Sequence, residues 1–295
     1  MSEFINLQEL TAQAELLRRL EELGQHYKKN RDAASLVSLA AVLASWQEDE
    51  PARCFEAAEA LVFQRKQEAV KRISSEFRRH YKDFGQSGGR KITCISNQPP
   101  ELKIGPFIFK PDFETACGSL YYAGCLIGEN ISLELPFVFE YIDNKYRELE
   151  EGGLKNGLPE GMSPEDPALN RIFSEEFFGD VFRAYKVCLK FSGGTLGTRL
   201  ELSELFPMLA LERQSKAFSL NEDKSCFVNY SRCQFCWDLA RLRRCGGFLQ
   251  HGLRLYLGTA TIGSTKNKDR VYLLDDGVGL GQYYLSVWFE RQNNA

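Results

Sequence analysis

Soft metal ligands, a histidine and positive charge crowd together between Cys226 and His251, where Cys226, Cys233, Cys236, Cys245 and His251 alternate with Arg232, Arg241, Arg243 and Arg244. Cys233 and Cys236 form a C-x2-C pair whose short turn can bring two thiolates to one ion. Cys245 and His251 could complete a tetrahedral zinc site, with Cys226 as a spare ligand. A structural zinc is the cofactor this spacing permits, without demanding it. No second close-spaced pair is present, the intervening residues have a helical pattern, and free cysteine is a common core residue. Cys245 and His251 also make a conceivable nucleophile and base. A redox role for the C-x2-C lacks the strand-to-helix context of thioredoxin-like pairs.

The same stretch admits a second chemistry. Lys224, Arg232, Arg241, Arg243, Arg244 and Arg254 are interleaved with Phe227, Tyr230, Phe235 and Trp237. Such a mixture binds single-stranded nucleic acid when rings stack on bases and arginines meet phosphates, although in a half-buried helix and sheet the same rings are core.

Other constellations fail in context. Gly193, Gly194, Gly197 and Thr198 lack the lysine of a Walker-type phosphate loop and read as a strand-to-helix connection. Gly277, Gly279 and Gly281 are followed by a strand pattern, not by the helix that would hold a pyrophosphate. Asp275 and Asp276 read as turn chemistry, and Asp112 with Glu114 lacks the downstream acid and lysine of a nuclease-like site. With three histidines in the chain, His26 and His80 among them in helical patterns, a multi-histidine catalytic metal site is disfavoured.

These residues must be positioned by ordinary globular elements. The chain has 295 residues, 43% hydrophobic and 26% charged, enough for one large or two moderate domains without disulfide staples. Nine cysteines and an opening MSEFINLQEL without a basic, apolar leader pattern fit reduced thiols and a cytoplasmic setting. No apolar run reaches the length of a membrane span. The formal charge is −3, yet residues 134–180 are acidic and those after them basic, so the two regions either pair internally or face different partners.

Helical spacing covers 6–29 and 32–46. From Pro51 to Phe84 it defines one long helix with Val62, Val70, Ile73, Phe77 and Tyr81 on one face and Arg65, Arg72, Arg78 and Arg79 on the other. Glu76 lies four residues from Arg72, which favours a solvated, self-paired face over a phosphate-binding one. Gln86–Gly89 reads as a linker. Beyond it, strands are expected at 91–96, 103–109, 118–127 and 186–191, and helices at 136–150 and 167–185. A further helical pattern over 200–213 should be broken or kinked by Pro207. Three β-rich runs, 253–262, 270–274 and 282–289, close the chain as a meander.

The expected fold is thus α+β: a helical bundle over 1–87 followed by a mixed α+β domain over 88–295 ending in an antiparallel β-meander. The function expected is that of a non-enzymatic intracellular interaction or regulatory protein, engaging another macromolecule through its helical region and charged surfaces. A protein partner comes first. The alternative is a nucleic-acid-binding protein or nucleic-acid-processing enzyme using Cys226–Arg254, and the sequence leaves catalysis open. On either reading the contact residues are Arg72, Arg79, Arg232, Arg241, Arg243, Arg244 and Arg254, and the metal ligands Cys233, Cys236, Cys245 and His251.

Overall fold

A computed structural model describes residues 67–68, 70–79, 81, 92–154, 157, 161–162, 166–221, 224–275 and 281–292. The helices expected over 6–29 and 32–46, and most of the one over 51–84, lie outside them. Five strands come first, β1 (Ile92–Asn97), β2 (Pro100–Ile104), β3 (Phe107–Asp112), β4 (Cys117–Tyr122) and β5 (Cys125–Ser132), paired in sequence order as one antiparallel sheet. The helices α1 (Leu135–Gly152), α2 (Pro167–Ser192), α3 (Leu202–Glu212), α4 (Lys216–Asn221) and α5 (Arg232–Arg244) follow it. An N-terminal bundle leading into an α+β domain is therefore corrected to a mixed α+β arrangement with two antiparallel sheets, in which α1 to α5 all follow the first sheet.

The second sheet holds β6 (Leu200–Glu201), β7 (Leu249–Gln250), β8 (Leu253–Thr259), β9 (Tyr272–Leu274) and β10 (Gln282–Arg291). It is not the simple meander expected. β8 skips β9 and pairs with β10, whose other edge takes β9 at Gln282–Tyr284 and β6 at Ser286–Val287. The ten residues of β10 give it room for both neighbours along one edge.

Two further corrections have local causes. The run 186–191, expected as a strand, is the last part of α2, because buried Val181, Ala184, Tyr185, Cys188 and Leu189 keep a helical period. Gly193 ends that helix at φ 67°, with Gly194 N–H returning to the Leu189 carbonyl at 3.0 Å, so the glycine run is a helix terminus. The expected strand 118–127 is a hairpin, turned at Ala123 and Gly124, both at positive φ. Pro207 sits inside α3 without ending it, and Leu202, Leu205 and Leu209 remain buried.

The chain divides into two compact units. One comprises Met1–Leu102, Phe109–Ser119 and Glu129–Val138; the other Lys103–Ile108, Leu120–Gly128 and Phe139–Ala295. In the first, Phe77 is 5% exposed and meets Phe109 and Phe113 at ring distances of 6.3 and 5.8 Å. Residues 70–79 are helical, Arg72 and Arg79 are solvent-exposed, and Arg72 pairs with Glu76 at 3.2 Å. In the second unit α5 is the centre. Every residue from Cys233 to Leu242 is buried, and Trp237 meets Phe107, Tyr122 and Tyr146 at 6.0, 5.0 and 5.1 Å.

β7 and β8 are joined by only His251 and Gly252, with Gln250 opposite Leu253, and both joining residues have positive φ, 50° and 71°. That is the geometry of a tight type I′ turn, which favours glycine or asparagine at its first position. His251→Gly is expected to raise stability by about 1 kcal/mol by removing the left-handed penalty of a side chain. An unchanged urea midpoint would mean that the imidazole offsets the strain.

Candidate functional site

α5 begins at an N-cap, Ser231, whose hydroxyl accepts from Gln234 N–H at 3.1 Å. Its polar residues Gln234, Asp238 and Arg241 follow at i, i+4 and i+7, one stripe of a helix that is otherwise apolar inside. Each is buried and each is engaged. Gln234 Nε2 donates to the Leu149 carbonyl at 2.7 Å and to Asp238 Oδ1 at 2.9 Å; Tyr230 Oη donates to Asp238 Oδ2 at 2.7 Å. Gly153 lies against this stripe so closely that a Cβ there would stand 2.6 Å from Asp238 Oδ1. Arg213, 5% exposed, donates to the Gly153 carbonyl at 2.7 Å and to Asp180 at 3.0 Å.

Burial raises the Asp238 carboxyl to about 6, even though Arg213 and the Tyr230 and Gln234 hydrogen bonds pull it down. Because the folded value lies above the unfolded one, the native state binds the extra proton between about pH 4 and 6. The group's favourable contribution is complete below that window and lost as pH rises through it. Urea midpoints measured from pH 4 to 7 should therefore fall further in the wild type than in Asp238→Asn. Parallel curves would reject a titrating Asp238.

The third polar residue leads to a cavity. Arg241 bridges Glu150 at 2.8 Å and holds the Asn170 side-chain oxygen from Nε and Nη2 at 3.1 and 3.0 Å, joining α1, α2 and α5. It is 1% exposed. Burial raises the Glu150 carboxyl despite Arg241 and Arg244 beside it. Above this pair opens a cavity of about 860 Å³, lined from α1 by Tyr146 and Arg147 and from α2 by Arg171 and Ser174; Arg244, Cys245, Leu249 and His251 also contribute to its wall.

α5 ends at this cavity through a two-bond Schellman cap: Gly246 N–H reaches the Arg243 carbonyl at 3.1 Å and Gly247 N–H the Leu242 carbonyl at 2.9 Å. Gly247 must lack a side chain, since its Cβ would meet Ser174 Oγ at 2.0 Å and Leu242 Cδ1 at 2.5 Å. Two polar atoms at the cavity are buried without a hydrogen-bond partner, Ser174 Oγ and Gln250 Oε1.

The residues singled out in the sequence part company. Cys245 and His251 share the cavity wall, and both are exposed. Cys233 and Cys236 are buried within α5. Cys236 stands nine residues before Cys245 along a helix that rises 1.5 Å per residue, about 14 Å, too far for one zinc ion to join both. Among the described residues no three His, Cys, Asp or Glu side chains gather as a metal site. Burial raises the Cys233 thiol to about 12 and pushes Cys236 and Cys245 up as well, so the protonated thiol is favoured at all three.

The arginines divide likewise. Arg232 donates to the carbonyls of Lys268 at 2.5 Å, of Asp269 at 2.8 Å and of Val271, with Tyr272 beneath it at 4.2 Å. Arg243 donates to the Tyr284 hydroxyl at 2.7 Å. Arg254 is exposed above Tyr256, and Arg244 lies over Trp237 at the cavity. Tyr230, Phe235 and Trp237 are core, while Phe227 is 49% exposed.

Sequence reasoning missed Glu150, Asn170, Ser174, Asp180, Arg213, Gln234 and Asp238. The signal available was the stripe Gln234, Asp238, Arg241 on a helix whose remaining residues are largely apolar. No helix among the described residues is long and apolar enough to cross a membrane. The fold and site define a mixed α+β protein with an arginine-lined cavity against a buried polar network. The chain matches no protein-family model, no curated protein and no solved structure.

Proposed function

We propose that this chain is a non-enzymatic interaction protein that engages an acidic protein partner, and that the arginine-lined cavity is its point of contact. The observation carrying this is how the positive charge is distributed. Arg241 is engaged by Glu150, and Arg232 by three carbonyls, whereas Arg244 stands 3.8 Å from Glu150 and Arg147 reaches only the neutral Asn144 amide at 3.1 Å. Two incompletely neutralised cations, Arg147 and Arg244, thus meet at one concave place, while Arg243 and Arg254, which also lack a carboxylate partner, lie outside it. A nucleic-acid backbone asks for a row of cations along a groove and for exposed rings, and three of the four aromatics interleaved with these arginines are core. The raised thiol of Cys245 supports a binding role over nucleophilic catalysis.

Fluorescence anisotropy with a labelled glutamate-rich peptide and a labelled single-stranded oligonucleotide tests this across a salt series. The peptide should bind, and Arg147→Glu with Arg244→Glu should abolish it. Oligonucleotide binding with a steep salt slope and no peptide binding would overturn the reading in favour of nucleic acid.

A further inference from the structure

We infer that the cavity receives a phosphorylated serine or threonine side chain of the partner, an inference that rests on the acidic-partner reading above. Charge argues for a dianion. Arg171 pairs with Glu175 at 3.1 Å and Arg241 with Glu150 at 2.8 Å, which leaves two guanidiniums, Arg147 and Arg244, incompletely neutralised at the same cavity. A carboxylate balances one of them. A phosphomonoester, at about −1.5 to −2 near neutral pH, balances both and offers three acceptor oxygens to their forked donors.

The unpartnered atoms point the same way. Ser174 is 7% exposed and contributes to the cavity wall, and its buried hydroxyl has no internal partner. Gln250 Nε2 is committed to the Ser174 and Gly247 carbonyls at 2.9 and 3.2 Å, which leaves Oε1 as a buried acceptor. A dianionic phosphate cannot serve an acceptor. The donor must come from the group carrying the phosphate, and the backbone N–H of a peptide is such a donor. The apolar rim favours a polypeptide carrier over a small polar metabolite: Tyr146 is 43% exposed and Leu249 50% exposed, surfaces that flanking side chains can cover.

The test uses the full chain and a short labelled glycine–serine peptide with one central phosphoserine, beside the same peptide carrying glutamate or unmodified serine. The phosphopeptide should bind about tenfold or more tightly than the glutamate peptide. Arg147→Gln and Arg244→Gln should each weaken it by about tenfold. Ser174→Ala should weaken binding several-fold while leaving the urea midpoint at the wild-type value, since no internal bond is lost. Equal affinity for glutamate and phosphoserine would overturn the phosphate inference and leave the acidic-partner reading standing. Displacement by glucose 6-phosphate at lower concentration than by unlabelled phosphopeptide would overturn it in favour of a small-molecule site. Failure of every acidic peptide would remove both readings.

Discussion

Arg213→Met is expected to cost about 3–5 kcal/mol of stability, the usual consequence of leaving buried charge unpaired. Arg213 has side-chain exposure of 3% and Asp180 of 2%, and Asp238 close by is fully buried. Arg183, half-exposed, also donates to Asp180, so Asp180 keeps one cation in the variant. Asp238 loses the charge that chiefly opposes its burial and should titrate higher still. The Gly153 carbonyl loses its donor, and the Phe177 and Tyr230 rings lose the guanidinium lying 5.4 and 5.0 Å from their centres. Urea unfolding at pH 7 reads the total. Adding Asp180→Asn should recover part of the loss, because it removes the buried carboxylate that Arg213 had shared with Arg183. A loss below about 1 kcal/mol would mean that water reaches the network.

Arg241→Met is expected to destabilise by a similar amount, about 3–5 kcal/mol, for a different geometric reason. The guanidinium spans three helices at once, holding the Glu150 carboxylate and its carbonyl on one side and Asn170 on the other. Methionine can pack against Phe173, whose ring centre lies 4.3 Å from the guanidinium, but satisfies none of these groups. Arg241→Lys should fail nearly as badly, since an ammonium is a point donor and cannot reproduce the planar fork. Glu150→Gln in the Met background should restore part of the stability by removing the stranded carboxylate. If that double variant unfolds at the same midpoint as Arg241→Met, the Glu150 charge is not what the arginine stabilises.

How far the sequence reached depends on what each signal measures. The helix from about 136 to 150 and the onset of the one at 167 were legible because apolar period and a proline in the first turn are local properties; the structure adds a cap that the sequence reading did not name, Asp166, which accepts from Ala168 N–H at 2.8 Å. The strand read at 186–191 failed because a short apolar run suits either structure, and the tertiary packing of Tyr185 and Leu189 decided for helix. The order of the second sheet was not legible either, since period-2 alternation gives strands without saying which pair. Of the residues singled out by composition, Cys245, His251 and Arg244 line one cavity. Arg241 was taken for a surface cation together with Arg243. It is the most buried arginine of the group because Glu150, distant in sequence, waits for it, and partners of that kind leave no trace in local pattern.

The pairing of β10 bears on the order in which the molecule can be made. β6 and β9 each find a strand partner in β10, and β6 is divided from it in sequence by α3, α4 and α5. A chain emerging from the ribosome can close the β7–β8 hairpin as soon as Leu253 and Arg254 are out, but residues 282–291 must appear before the rest of that sheet has anything to pair with. Until then β6, β9 and the free edge of β8 remain open templates for strand addition. The length of time they stay open is set by translation rather than by the intrinsic speed of folding.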